Sequence, residues 1–451
     1  MAGRFGRLIS QRERLGYAGG HVIDPSSLRR RAPSIDRSSD RLVAVIAIAA
    51  AVAFLVAAVV AMFLPVADRR GAWLPLHLAL AGGATTAIAG VMPFFAAAFA
   101  AAPPSDARLR MGAVTAVAAG AIGVSLGVVG SQPDIAVRGG VAFIAGVLVT
   151  GVATIRPLAR ALGPSRGLVT QGYAVALGEV AVGATLATLF VAGWAPMLAA
   201  WGQVKPAHAW LNLVGFVSLA VATTLLHFFP TVVGARIVVR PSARLTVVGL
   251  ATGAPLVALG FALGSDLVAR IGALVTAAGA IGLAINAART WQTRARWTTD
   301  PGWHRFAIGA LVAAIGWFVV GIGIAVGRVL GAGASPAAFS IETVGAPLVA
   351  GWIGLAIVGS ATHLLPAVGP GDPAAHGRQR RLLGQLAGTR LAVVNGGVAG
   401  LAIGWPLHVD GLVVGGAVLL AVGLGATAAL LVRAIALGIG GLGGGGRPAA
   451  R

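Results

Sequence analysis

Residues 215–232 read GFVSLAVATTLLHFFPTV, and residues 351–368 read GWIGLAIVGSATHLLPAV. The two segments align without a gap at an offset of 136, pairing Gly215 with Gly351, His227 with His363 and Pro230 with Pro366. With only 8 histidines and 23 prolines in 451 residues, a coincident His and Pro at the same spacing does not follow from apolar composition. The chain therefore contains an internal repeat, and both copies are apolar enough to lie in a bilayer.

The same apolar character runs outward in both directions. Hydrophobic residues make up 57% of the chain and charged residues 10%, against roughly 25% charged in an average soluble domain. A helix needs about 20 apolar residues to cross the hydrocarbon core. Twelve candidate spans meet that length, near 42–64, 73–101, 111–130, 136–155, 169–192, 207–230, 245–264, 267–289, 306–330, 341–366, 391–407 and 411–436. The repeat thus joins spans 6 and 10. Span 2 is four spans earlier again, and His77 there lies about four residues inside its boundary, as His208 does in span 6. The expected fold is an all-α polytopic membrane bundle of about twelve helices in three four-helix units. An even offset makes them parallel repeats rather than inverted ones.

The net charge of +21 suggests nucleic acid at first sight, but the basic residues form short clusters between spans. Cytoplasmic segments of membrane proteins are enriched in Lys and Arg. With the first 41 residues placed inside, alternate connections collect 28 of the 34 basic residues. Arg69, Arg70, Arg138, Lys205, Arg270 and Arg328 fall on the other side. Both termini are therefore expected in the cytoplasm, and no nucleic-acid partner is expected. The excess of Arg over Lys and the wealth of Ala, Gly and Val read as high-GC codon bias, which places the chain in a bacterial plasma membrane. Residues 1–41 are read as a retained, disordered basic tail. The run that follows is too long for a signal-peptide core. Residues 42–436 form the membrane domain, and 437–451 a Gly-rich cytoplasmic tail. The longest internal connection, 367–390, is too short for a separate soluble domain. Glycine ridges such as Gly123 with Gly127, Gly260 with Gly264 and Gly400 with Gly404 suit close helix approach.

With no cysteine, thiolate-held metal and iron–sulfur centres are excluded, leaving histidine and carboxylate as the strong ligands. Ionisable groups within a membrane are functional candidates by default. His77, His208, Glu342, His408 and Asp410 fall near the outer face, and His227, His304 and His363 near the inner. His208 and His227 lie 19 residues apart on one helix, about 28 Å at 1.5 Å per residue, so there are two layers and not one cluster. His77 and His208 suit a shared haem or metal site, or are interfacial histidines in the headgroup layer. His227 and His363 suit metal ligands, or last-turn residues facing the helix dipole. His304, after Trp303, reads as an interfacial anchor. Glu179, near the middle of span 5, marks a proton or ion path together with Glu342, or is a neutral acid bonded to a neighbouring helix.

The run Ala207-His208-Ala209-Trp210-Leu211-Asn212-Leu213-Val214-Gly215-Phe216, continuing to His227-Phe228-Phe229-Pro230, resembles the AHxHLNLLGF-type segment of haem-copper oxidase subunit I-like proteins. That superfamily, with the NnrS family of nitrogen-oxide metabolism, has twelve helices in three groups of four. The resemblance implies a haem ligand at His77 and a copper ligand at His208. It also implies a redox partner protein beside the lipid bilayer. Span 7 has no histidine pair, the outer part of span 10 has Glu342 and no histidine, and Asn212 stands where a tyrosine would be needed. The oxygen-reducing binuclear centre is therefore incomplete. The leading reading is a haem- or copper-binding membrane protein of nitrogen-oxide, copper or respiratory physiology that does not reduce oxygen. A transporter with a midplane site near Glu179 and the prolines Pro93, Pro255 and Pro347 is one alternative, and a non-catalytic subunit that docks a partner is another.

Overall fold

The computed structural model describes residues 38–159, 166–295 and 304–443. Most of the basic N-terminal tail, and the C-terminal tail beyond Gly443, lie outside the described residues. Twelve helices are long and apolar enough to cross a membrane, and there is no strand among the described residues. They are α1 (Leu42–Ala61), α2 (Trp73–Ala100), α3 (Ala107–Val129), α4 (Pro133–Ala159), α5 (Gly167–Val191), α6 (Ala195–Val233), α7 (Pro241–Leu263), α8 (Asp266–Gln292), α9 (His304–Ala332), α10 (Pro336–Val368), α11 (Ala387–Leu407) and α12 (Asp410–Ile439). The chain is a multi-pass membrane protein. The last helix continues through Gly443, into the start of the Gly-rich segment.

Each four-helix unit repeats one plan. Its third and fourth helices form the tightest pairs of the molecule, α3 with α4, α7 with α8 and α11 with α12. Small residues let these backbones meet. A Cβ on Gly123 would come within 3.0 Å of the Gly139 Cα, one on Gly400 within 3.0 Å of the Gly416 Cα, and one on Gly260 would run into the Ala269 backbone. Gly264 does not belong to this seam. It ends α7 in the left-handed conformation, φ +64°, which glycine adopts without strain.

The second helix of each unit carries a distinctive feature. Within α2, α6 and α10 the backbone widens into π-helix over Leu78–Ala84, Leu211–Ser218 and Ala346–Gly354. All three segments touch one another. The offset of 136 carries the second segment onto the third. An offset of 133 carries the first onto the second, and that register also pairs Thr85 with Ser218. Each hydroxyl donates five residues back, Thr85 Oγ1 to the Leu80 carbonyl at 2.9 Å and Ser218 Oγ to the Leu213 carbonyl at 2.8 Å. A π-turn leaves carbonyls without an ordinary i+4 partner, and these hydroxyls occupy them. Ser218 also accepts from Trp352 Nε1 at 3.0 Å, which ties α10 to α6. Three parallel units whose second helices, α2, α6 and α10, meet at their π-segments are thus written into the backbone.

This register gives the two histidines different repeat counterparts. The counterpart of His77 is Trp210, two residues along from His208. The boundary of α6 also moves. The helix begins at Ala195, 13 residues before His208, because the stretch Ala195–Pro206 is helical but too polar and proline-interrupted to read as membrane-spanning.

Candidate cofactor and proton-path sites

His77 lies in the turn of α2 just before the π-segment, its ring stacked on Trp73 at 3.9 Å and 22°. Its Nδ1 lies 2.8 Å from the Trp73 carbonyl. His208 reaches across to α5, with Nδ1 2.8 Å from the Gly183 carbonyl. A carbonyl only accepts, so in both rings Nδ1 carries the proton and Nε2 keeps its lone pair. Asn212 Nδ2 stands 3.2 Å from His208 Nδ1, but it donates to the His208 carbonyl at 2.7 Å. Nδ1 cannot accept while it donates to Gly183, so the shorter carbonyl contact sets the tautomer. Gly183 permits this approach, since a Cβ there would collide with the Asn212 amide. Pinning Nδ1 to a carbonyl is the arrangement that orients a ligating histidine.

Further along the α5–α6 seam, Glu179 is 6% exposed and neither carboxylate oxygen has a hydrogen-bond partner. It fills the space left by Gly215 in the π-segment of α6, where a Cβ would overlap the carboxylate. Past it, Thr223 packs on Gly172, and the Tyr173 hydroxyl meets Thr224 Oγ1 at 2.9 Å.

At the other end of the bundle, the His227 ring lies 4.5 Å from Phe99, and His363 presents to Phe228 at 5.6 Å and 80°. The ring of His304 approaches His363 at 6.1 Å, an association that the sequence did not bring out although both residues were placed at the same face. No group of three or more His, Asp or Glu side chains converges as a metal cage among the described residues. Glu342 is exposed at the start of α10 and accepts from Ser340 Oγ at 2.7 Å. It is remote in sequence and setting from the Glu179 seat. His408 and Asp410 occupy the exposed α11–α12 turn.

Sequence reasoning also missed Asn212, Gly215 and the π-segments as parts of a site. The offset between the first two units was the available signal, but only the hydroxyl spacing of Thr85 and Ser218 carries it.

No family model matches this chain, and no curated protein does. Among solved structures it is similar to a chain of a heme-copper terminal oxidase dimer determined by cryo-EM, with a TM-score of 0.60 and 14% sequence identity over 91% of this chain and 85% of that one. At that identity the likeness is one of fold: this twelve-helix membrane protein shares its architecture with a chain of a heme-copper terminal oxidase.

Proposed function

We propose that the chain is a haem-binding membrane protein of respiratory or nitrogen-oxide physiology, in the manner of the NnrS family, that does not itself reduce oxygen. The observation that carries this reading is the matched state of His77 and His208. Both rings tie Nδ1 to a backbone carbonyl and hold Nε2 as a free lone pair, on two helices whose adjoining π-segments touch.

Two neutral imidazoles are donors that porphyrin iron accepts. They fit a copper centre of three imidazoles poorly, since no third His joins them among the described residues. The α10 residue equivalent to His208 is Val344, and α7 contains no histidine. His77 and His208 would hold the haem, which when bound would supply one-electron transfer to and from a redox partner at the membrane surface. The protein's own contribution is orientation. Trp73 and Gly183 fix the two tautomers, and Asn212 holds the α6 backbone beside His208. The visible spectrum of the detergent-purified protein tests this reading. A Soret band with a bis-imidazole signature is expected, and a colourless protein after expression with ample haem would overturn it.

A second reading rests on Glu179. A carboxyl group buried without a partner between two helices suits a proton or cation carrier in a membrane. Proton or cation flux into proteoliposomes, lost in Glu179→Gln and seen with a colourless protein, would favour a transporter over the haem protein.

A further inference from the structure

His304 and His363 meet at the end of the bundle opposite the proposed haem ligands. His363 lies five residues before the end of α10 at Val368, and His304 is the first residue of α9. Their rings approach to 6.1 Å at 53°. Both residues are half-buried, so the pair can be reached from the aqueous side. Phe228 of α6 stands edge-on to His363 at 5.6 Å and 80° and limits how far that ring can turn.

The repeat supplies an internal comparison. His227 occupies in α6 the place that His363 occupies in α10, so a role at the helix end alone would fall on both. His227 is buried and meets Phe99 at 4.5 Å, whereas His363 is brought against a second imidazole.

The spacing and the donor set narrow what such a pair can hold. Two imidazoles bound to one metal at about 2 Å place their ring centroids about 6.4 Å apart when the nitrogens lie in line, and about 5.2 Å apart at a tetrahedral angle. The observed 6.1 Å is near the linear limit. No third His, Asp or Glu joins them among the described residues, and the chain has no cysteine. Zinc in structural sites takes four ligands, and divalent copper and nickel take square arrays. Monovalent copper has a filled d shell and is satisfied by two nitrogens in line.

We propose that His304 and His363 form a two-coordinate binding site for monovalent copper at this end of the bundle. The site is separate from the proposed haem ligands. His227, the repeat counterpart of His363, lies 19 residues from His208 on α6, about 28 Å for an α-helix. Occupancy of the pair therefore does not depend on whether haem binds.

Cu(I) is the probe, kept reduced by ascorbate under nitrogen and offered to the full chain in detergent in competition with bicinchoninate. The wild type should retain copper, and X-ray absorption should show two nitrogen donors and no sulfur. His304→Ala and His363→Ala should each release one equivalent, whereas His227→Ala and His77→Ala should keep it. Thermal melting checks that each variant is folded, and His304→Asn or His363→Asn serves where the alanine variant is not. Loss of copper with haem binding intact, or the reverse in the outer variants, separates this site from the haem reading. No retained copper in the wild type, copper kept in folded His304 and His363 variants, equal loss in His227→Ala, or Zn(II) held more tightly than Cu(I) would each overturn the proposal.

Discussion

Gly215 of α6 lacks a Cβ at the place where one would overlap the carboxylate of Glu179 on α5. The pair forms a seat in which a polar group is accommodated by removing a neighbour's side chain. Gly215→Ala should destabilise the protein by about 1–3 kcal/mol, the usual cost of forcing extra volume into a packed interior. Melting in detergent measures it. Glu179→Ala added to Gly215→Ala should recover much of the loss, because the clash needs both side chains. A single variant that melts like the wild type, or a double variant no better than the single, would remove the seat from the account.

Ser218 and Thr85 occupy matching places after their π-segments, yet they differ in what they hold. Thr85 caps one carbonyl, whereas Ser218 caps a carbonyl and accepts from Trp352. Thr85→Val should cost about 0.5–1.5 kcal/mol. Ser218→Ala should cost more, about 1–3 kcal/mol, because it strands the buried indole N–H of Trp352. Chemical or thermal unfolding of the two variants tests the order. Equal losses would mean that the Trp352 bond adds nothing.

The twelve helices were legible because span length and charge are local properties, and their ends agree with the structure within a few residues except at α6. There the helix runs on through Ala195–Pro206, where Gln203 and Lys205 lower the hydropathy without breaking hydrogen bonding. The repeat between α6 and α10 was legible because His and Pro are rare. The repeat of α2 was obscured because its shared features are the π-turn and a Thr-for-Ser exchange, which leave almost no compositional trace. Glu179 stood out as a lone intramembrane carboxylate, while its seat did not, since Gly215 is one glycine among 67. His304 and His363 meet across two helices through packing that spacing along the chain does not encode.

The 28-to-6 division of basic residues predicts that both termini face the cytoplasm. Reporter fusions after Pro133, at the start of α4, and after Gly333, between α9 and α10, should report an exterior location. Cytoplasmic signals from both would reverse the assignment and would move the His77 end of the bundle to the inner face.

Purified protein supplied with an artificial electron donor should consume oxygen no faster than free haem. The reason lies in the donor count. His208 has no imidazole partners on α7, Val344 occupies its place on α10, and Asn212 replaces the tyrosine one turn along. Sustained turnover well above the free-haem control would show that the ligand set had been read wrongly.

The ligand assignment makes the most specific demand on single residues. If His77 and His208 hold haem through Nε2, His77→Ala and His208→Ala should each remove or shift the Soret band, and His304→Ala and His227→Ala should leave it unchanged. Asn212→Ala should act more weakly. It leaves the imidazole in place but removes the amide that holds the His208 carbonyl at 2.7 Å, and loss of such a supporting group costs about 10- to 100-fold in affinity at known metal sites. The expected pattern is therefore loss at the two ligands, partial haem occupancy at Asn212, and wild-type spectra at the far end of the bundle. Haem titration of each purified variant resolves these three levels. Wild-type spectra and haem content in both His77→Ala and His208→Ala would exclude this site, and a loss confined to His227, His304 or His363 variants would move the cofactor to the opposite layer.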